Sequence, residues 1–245
     1  MVQISTYVRG SKFEVPLLFL PGSLCDKRLF SAQIEYFTGL REVYVGDFGG
    51  CASIHEMALK MLAEAPPKFA LAGLSMGGIV AFEMYRRAPQ RIDRLALLDT
   101  NPRAELAERV GIRQQQTQHI ADGGDAALAA FTRAELLPTY ATSGAHSARL
   151  EALVLAMANA AGSAEFVNQW RALEHRPDSW PTLRQIACPT LILCGEQDAL
   201  CSADLHREMA AEISSGQLEI VADAGHLSTL DAPQHVNRAL HRWLE

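Results

Sequence analysis

Six short apolar runs, bounded by turn residues, constrain the fold of this chain more than any other feature. Each run is rich in valine, leucine and isoleucine and is too short for a typical helix. Continuous apolar runs of this length are typical of strands that are buried on both faces, as in a parallel sheet. The runs occupy residues 15–20, 41–47, 68–74, 94–99, 189–195 and 217–222, and the alternating segment 2–8 is a candidate edge strand.

Helical patterns lie between most of these runs. In residues 53–65 apolar side chains recur at helical spacing behind Ser53, a predicted N-cap, with Glu56 three residues further on. Further helices are predicted at 77–89, 202–213 and 232–245. Strands that alternate with helices form right-handed βαβ units. The chain is therefore predicted to be an α/β protein whose mostly parallel sheet is flanked by helices.

One long segment interrupts this alternation. Residues 101–186 contain no convincing strand pattern. Four helices are predicted there, near 103–121, 125–136, 146–160 and 163–175, and the residues expected between them are Gly123, Gly124, Pro138, Gly144 and Gly162. Because no linker composition separates this segment from its surroundings, we predict a single domain over residues 1–245 with a helical cap inserted at about 101–186.

Composition excludes several classes of partner. The 245 residues carry a formal charge of −6, which disfavours binding to nucleic-acid phosphates. The first apolar run is interrupted by Pro16 and is too short for a signal peptide or a membrane span. The five cysteines have no metal-ligand spacing, so reduced thiols and no metal are expected. We predict a cytoplasmic protein that has no membrane partner, and a homodimer remains open.

The segment Gly73-Leu74-Ser75-Met76-Gly77 matches the pattern G-x-S-x-G and lies between a predicted strand and a predicted helix. An ordinary turn would explain the glycines alone. In a strand–turn–helix context, however, the same pattern holds a serine at a tight corner with positive φ and an exposed hydroxyl. We therefore predict that Ser75 is a nucleophile.

A serine hydroxyl needs a base to become reactive, and the base needs an acid to orient it. His226 follows the last predicted strand, at the sheet edge where Ser75 is expected, whereas six of the other histidines lie in helical patterns and His175 ends a cap helix. Asp198, shortly after the strand 189–195, is the predicted acid. Asp99 is the alternative acid. Glu196 lies nearer the end of its strand, so its side chain would reach less far toward His226.

An oxyanion also needs positioned hydrogen-bond donors. The backbone N–H of Met76, at the predicted helix N-terminus, is the first candidate. The second is the N–H of Ser23 or of Leu24, because Pro21-Gly22 ends the strand 15–20 in a tight turn. The alternative is a β-turn that only ends the strand.

The order Ser75, Asp198, His226, with the segments "GLSMGG", "GEQDALC" and "AGHLSTLDAPQHV", resembles the α/β-hydrolase superfamily over nearly the whole chain. The resemblance implies a catalytic triad, an oxyanion hole, a helical cap between the sixth and seventh strands, and no cofactor. The sequence departs from the family in having Pro21-Gly22 where His-Gly is usual. A backbone donor does not need that histidine, so the oxyanion hole is still expected.

The motifs are specific for the fold and poorly specific for the substrate. The segment around "GLSMGG" looks similar to the pimeloyl-carrier-protein methyl esterases, to enol-lactonases and to the C–C bond hydrolases of aromatic degradation. We predict hydrolysis of a small-molecule carboxylic ester, because this reaction needs only the groups found. Lactone, thioester or C–C bond cleavage and a receptor-like binding role remain alternatives.

Overall fold

A computed structural model describes residues 4–7, 15–140 and 147–245. In these residues seven strands form one sheet, in the order β1-β3-β2-β4-β5-β6-β7. β1 pairs antiparallel with β3, and all other neighbours are parallel. The strands are β1 Ser5–Tyr7, β2 Leu17–Leu20, β3 Val43–Val45, β4 Phe69–Leu74, β5 Ile92–Leu98, β6 Thr190–Gly195 and β7 Gly216–Val221.

All six predicted runs form strands, with ends displaced by at most two residues. The predicted burial is wrong for β7, an edge strand in which only Val221 is buried and Leu218 is 38% exposed. The edge strand is confirmed over Ser5–Tyr7, and positions 2, 3 and 8 of that prediction lie outside the described residues. The α-helices are α1 Ser31–Thr38, α2 Ile54–Glu64, α3 Met76–Arg87, α4 Ala107–Phe131, α5 Leu137–Tyr140, α6 Ser147–Glu174, α7 Trp180–Leu183, α8 Ala203–Glu212, α9 Ser228–Asp231 and α10 Pro233–Leu244.

The sheet is covered by helices on both faces. Every residue of β2, β4 and β6 is buried, as continuous apolar runs predict. In β2, Leu18 and Leu20 pack in one hydrophobic cluster with α2, α3 and α8, whereas Leu17 and Phe19 pack in a second cluster with α1 and α10. Alternate residues of a strand point to opposite faces, so the two clusters are the two sides of the sheet.

The predicted N-cap of α2 is present. The Ser53 hydroxyl accepts a hydrogen bond of 3.1 Å from the N–H of Glu56. The Glu56 side chain returns a bond to the N–H of Ala52 at 2.9 Å, one residue before the position that a capping box uses. Both bonds satisfy amides near the helix start.

Between β5 and β6 the described residues are helical and contain no strand. Positive φ angles at Gly124 and Gly162 bend α4 and α6, at two of the predicted breaks. Pro138 instead lies within α5, which continues directly from the π-helical turn Thr132–Leu136, and Gly144 lies outside the described residues. Counted over the described strands alone, the insertion lies between the fifth and the sixth, and the position between the sixth and seventh strands that the family resemblance implies stays a prediction.

The segment Ala148–Glu174 is long and apolar enough, by length and composition, to cross a membrane. The backbone at Gly162 is not helical, however, and it divides this segment into two parts. Each part is shorter than the roughly 20 residues that a membrane-spanning helix needs. The segment is therefore better described as two shorter helices.

Candidate active site

Ser75 lies at the junction of β4 and α3 in a strained backbone conformation, with φ 54° and ψ −117°. Its N–H donates to the carbonyl of Leu98 at 2.9 Å, and its carbonyl accepts from the Thr100 hydroxyl at 2.7 Å. Neighbouring β5 and the residues after it thus hold the strained turn in place. The Ser75 hydroxyl does not cap α3 and points to another partner.

The glycines of the motif are required by close backbone approaches. A Cβ on Gly73 would lie 2.4 Å from the carbonyl oxygen of Gly77, and a Cβ on Gly77 would lie 2.1 Å from that of Leu20. Both distances are far below van der Waals contact, so only glycine fits these two positions. The pattern therefore reflects the packing of α3 against β2 and β4.

His226 connects Ser75 with Asp198. Its Nε2 lies 3.0 Å from Ser75 Oγ, and its Nδ1 lies 2.9 Å from Asp198 Oδ2. The side chains of His226 and Asp198 are 2% and 0% exposed. A proton on Nδ1 directed at the carboxylate leaves the Nε2 lone pair facing the serine hydroxyl, which is the tautomer that a base needs. The ring of Tyr140 stacks on the imidazole at 5.4 Å.

The Asp198 carboxylate is oriented by the backbone. Its Oδ1 accepts hydrogen bonds from the N–H groups of Leu200 and Cys201 at 2.8 and 2.9 Å. Two amide donors hold one carboxylate oxygen in place and leave the other oxygen for the imidazole. The loop after β6 thus presents a carboxylate whose direction is set before any ligand binds.

Asp99, the alternative acid, has other partners. It is fully buried, and its two oxygens accept from the N–H of Gly195 at 2.9 Å and from the Ser228 hydroxyl at 2.5 Å. Burial raises the pKa of Asp99 well above its usual range, and the charge of Asp198 raises it further. Glu196 is exposed. Of the three acids considered, the structure brings Asp198 to His226.

Behind Ser75 lies a buried support that the sequence pattern does not indicate. His206, one of the six histidines in helical patterns that were set aside in favour of His226, is fully buried. Its Nε2 accepts from the N–H of Thr100 at 3.1 Å, and Thr100 in turn binds the carbonyl of Ser75. The helical pattern of 202–213 gave no signal for this role, because the partner lies more than one hundred positions away in the chain.

The structure distinguishes the two alternatives for the second oxyanion donor, the N–H groups of Ser23 and Leu24 in the loop after β2. A hydrogen bond of 3.2 Å from Cys25 N–H to the Gly22 carbonyl closes a turn over Ser23 and Leu24. The N–H of Leu24 donates to Oε1 of Gln169 at 2.8 Å. Leu24 is therefore removed as a candidate donor, because a cap side chain already occupies its amide. Ser23 lines the same cavity as Ser75.

Gly22 and Met76 flank Ser75 from both sides. A Cβ on Gly22 would touch the Ser75 Cβ at 3.4 Å, so the loop after β2 passes close to the serine. Met76 is the first residue of α3 and is fully buried. The N–H groups of the first helical turn have no partner within the helix and carry its positive dipole end, which favours a developing negative charge.

A cavity of about 220 Å³ opens beside Ser75 and His226. Sheet-edge loops supply part of its wall, including Ser23, Asn101, Leu200 and Cys201. Ile79 of α3 also lines it, and the helices between β5 and β6, together with a residue two positions after α6, supply most of the rest, including Arg109, Arg113, Gln116, Tyr140, Trp170 and Arg176. A small molecule in this cavity would touch both the sheet edge and these helices.

The donor atoms of Asp198, Cys201 and His226 lie within 4.8 Å of one another and form a candidate metal-ligand group in the described residues. Their chemistry disfavours a metal. Burial raises the pKa of the Cys201 thiol well above its usual range, and the charge of Asp198 adds to this, so no thiolate is available. The imidazole Nδ1 and the carboxylate already bind each other.

The family model described as "alpha/beta hydrolase fold" matches residues 52–233. The chain is 28% identical over 197 residues to a pimeloyl-[acyl-carrier protein] methyl ester esterase of Edwardsiella ictaluri, covering 77% of this chain and 74% of that protein. It is 26% identical to carboxylesterase YbfK of Bacillus subtilis over 181 residues, which cover 71% of this chain.

The match to YbfK spans only 56% of that protein. A second match, to a relative from Serratia proteamaculans, spans 64% of that relative. Among solved structures, a thermophilic esterase from Thermogutta terrifontis, with malate bound, superposes with a TM-score of 0.89 at 27% identity. That superposition covers 99% of this chain and 92% of the esterase.

Proposed function

We propose, from the premise that this chain belongs to the α/β hydrolase fold family, that it hydrolyses a small carboxylic ester through Ser75, His226 and Asp198. The fold family and the esterases among its relatives support a hydrolase. The observation that carries the finer proposal is the position of His226, within hydrogen-bond distance of both Ser75 Oγ and Asp198 Oδ2.

In the proposed first half-reaction, Ser75 Oγ attacks the ester carbonyl carbon and its proton passes to His226 Nε2. The carbonyl oxygen becomes an oxyanion, which the N–H groups of Met76 and Ser23 stabilise. Asp198 stabilises the imidazolium without taking its proton. The tetrahedral intermediate then collapses, the alkoxide leaves with the proton from His226, and an acyl-serine remains.

In the second half-reaction, water attacks the acyl-serine carbonyl and gives a proton to His226. The second tetrahedral intermediate expels Ser75 Oγ, which recovers its proton from the imidazolium. The products are one carboxylic acid and one alcohol, and the enzyme returns to its starting state. Every step uses groups of this chain and water, so the prediction of no cofactor is kept as part of the proposal.

We further propose that the helices between β5 and β6 act as a cap that selects the substrate, within one domain of 245 residues. This is supported by the cavity wall, most of whose side chains other than the proposed triad come from these helices. Catalytic groups on strand ends stay fixed, whereas helices above them can vary in shape. The cytoplasmic location and a homodimer stay predictions.

A fluorophosphonate probe tests the nucleophile, because it forms a covalent bond only with an activated serine. We expect labelling of Ser75 in the native protein, no labelling of Ser75→Ala, and a loss of about 10⁴- to 10⁶-fold in kcat for that variant. Ser23→Ala is the matched control, because Ser23 is proposed to act through its backbone N–H alone. Labelling that persists in Ser75→Ala would refute the proposal.

A panel of p-nitrophenyl esters, lactones and thioesters, assayed on the same protein, identifies the bond that is cleaved. The proposal expects the esters to give the highest kcat/KM. A higher kcat/KM for lactones or thioesters would assign the activity to that substrate class instead, with Ser75 still as the nucleophile.

A further inference from the structure

Three arginines line the cavity beside Ser75. Arg109 and Arg113 lie four residues apart on α4, and Arg176 lies just after α6. Gln116, three residues beyond Arg113, lines the same cavity. Positions separated by three or four residues share one face of a helix, so α4 turns a cationic and polar face toward the cavity.

The negative charge at this face does not balance the positive charge. Glu105 binds both Arg113 and Arg176, the latter at 3.0 Å, and Glu135 lines the cavity as an acceptor for Gln116 at 2.9 Å. Three guanidinium groups thus face two carboxylates. The whole chain has the opposite balance, with 22 Lys and Arg against 28 Asp and Glu, so the cavity concentrates the less common charge.

Arg113 is held in a fixed orientation. Its side chain is 13% exposed, and its guanidinium lies 5.4 Å from the ring centroid of Trp170. The Trp170 ring is itself fixed by a hydrogen bond of 2.9 Å from its Nε1 to Gln116 Oε1. An arginine that stacks on an aromatic ring and binds a carboxylate on one side presents its remaining N–H donors in a defined direction.

Arg109 is different, because it is exposed and its guanidinium has no hydrogen bond or ion pair with another described residue, although its backbone N–H donates to the carbonyl of Leu106 at 2.9 Å. Burial lowers the pKa of Arg113, and the positive charges of Arg176 and Arg109 lower it further, which indicates that the two arginines of α4 are close enough to repel each other. Like charges four residues apart on a helix are unfavourable unless something compensates them. A bound anion would supply that compensation.

We propose that this cavity binds an ester that carries a free carboxylate, and that Arg109, with Arg113, binds that carboxylate while the ester carbonyl lies at Ser75. The substrate class is then the monoesters of dicarboxylic acids. This inference rests on the proposed ester hydrolysis and adds the charge of the substrate to it. The planar fork of arginine matches both oxygens of a carboxylate, which gives direction as well as attraction.

The kinetic test compares acidic and neutral esters of equal chain length. Monomethyl succinate, glutarate and adipate are paired with methyl butyrate, valerate and hexanoate, and the acid released is titrated at constant pH. We expect the native protein to prefer at least one acidic ester over its neutral partner. Arg109→Gln should reduce that preference in kcat/KM by about 10- to 100-fold, the range expected for loss of a charged hydrogen bond.

Arg133→Gln is the matched control. Arg133 is an exposed arginine on the π-helical turn Thr132–Leu136, in the same insertion, and it does not line this cavity. The substitution Arg133→Gln removes the same charge from the same part of the fold and should leave the preference for the acidic ester within about two-fold of the native value. An equal loss in both variants would attribute the preference to net charge alone and would overturn the assignment to Arg109.

A binding measurement separates this inference from the proposed reaction. Isothermal titration calorimetry of Ser75→Ala with adipate should show binding. The double variant Ser75→Ala, Arg109→Gln should bind adipate more weakly by about 10- to 100-fold in Kd, the same factor as in the kinetic test. Failure of Ser75 labelling and of all ester hydrolysis would refute the proposed function, yet the titration would still decide the anion site. Equal binding to both proteins, or no binding to either, would overturn the inference.

Discussion

The backbone N–H of Leu24, in the loop after β2, donates a hydrogen bond of 2.8 Å to Oε1 of Gln169 in α6. Gln169 is 5% exposed, and its Nε2 donates to Glu165 at 3.0 Å. The Glu165 carboxylate in turn accepts from the N–H of Gly50 at 3.0 Å, in the loop after β3. One helix of the insertion therefore ties together two loops at the sheet edge, and the first of them carries the proposed donor Ser23.

Replacement of Gln169 by leucine is expected to slow catalysis through this loop. The variant keeps the side-chain size but leaves the Leu24 N–H without its acceptor, which costs about 1–3 kcal/mol. Because Ser23 precedes Leu24, its N–H should lose its fixed direction, and kcat should fall by about 10- to 100-fold with a smaller change in KM. Steady-state kinetics and the melting temperature of the same samples test this.

Gln169→Glu is the control for that variant, because a carboxylate restores the acceptor. It should recover part of kcat even though it faces Glu165 with like charge. If both variants lower the melting temperature and neither changes kcat, Gln169 has only a structural role.

Asp198→Asn is expected to reduce kcat by about 10⁴-fold, because the amide favours the wrong tautomer of His226. Asp99→Asn should cost far less, since Asp99 binds Gly195 and Ser228 rather than the imidazole. The two variants are isosteric with the native side chains, so kcat can be compared at equal foldedness by circular dichroism. The reverse order of activities would exchange the roles of the two acids.

The raised pKa of Asp99 leads us to expect a free energy of unfolding that depends on pH. Its folded-state pKa is raised, first by burial and then by Asp198, with Asp231 adding to the effect, whereas bonds from Ser228 and Gly195 oppose it. Between the unfolded pKa of about 3.9 and this raised value, the folded state binds more protons. The free energy of unfolding should therefore fall as the pH rises through that window.

Urea unfolding of the native protein and of Asp99→Asn, from about pH 5 to about pH 8, tests this linkage. The stability of the native protein should decrease relative to the variant as the pH increases. Parallel curves would mean that Asp99 does not change its protonation in this range.

Two glycine substitutions should have opposite effects on stability. Gly77→Ala places a Cβ 2.1 Å from the carbonyl oxygen of Leu20, so the backbone must move, at a cost of about 3 kcal/mol or more. Gly111→Ala, within α4, meets no atom within 4 Å and should stabilise the protein by about 0.5–1 kcal/mol. Urea midpoints measure both, and a tolerated Gly77→Ala would contradict the close approach of α3 to β2.

Much of the fold was predictable because local patterns agreed with it. Six apolar runs became strands, of which β7 is the one that is mostly not buried, and the helical patterns between them became helices. Gly124 and Gly162 bend the long helices where glycines interrupt the pattern. In a parallel sheet, strand ends meet at one edge. That rule sufficed to bring Ser75 and His226 together from a chain separation of 151 residues.

The choice between similar side chains could not be made from the chain order. Asp99 and Asp198 each follow a strand at the same edge, and only the loop after β6 directs a carboxylate at His226. Ser23 and Leu24 are neighbours in one turn, and only the approach of Gln169 distinguishes their amides. Such choices depend on ångström-scale positions of groups that are distant in sequence.

The sequence by itself therefore determined the layered α/β architecture and the edge at which the reactive residues meet, because periodicity and turn chemistry are local properties. Tertiary structure alone decided which acid lies beside His226, which amide of the loop after β2 is bound by Gln169, and that Arg109, Arg113 and Arg176 share one cavity wall. The physical reason is that hydrogen bonds and charge pairs act over a few ångströms. Which groups come that close is set by how the cap helices pack on the sheet.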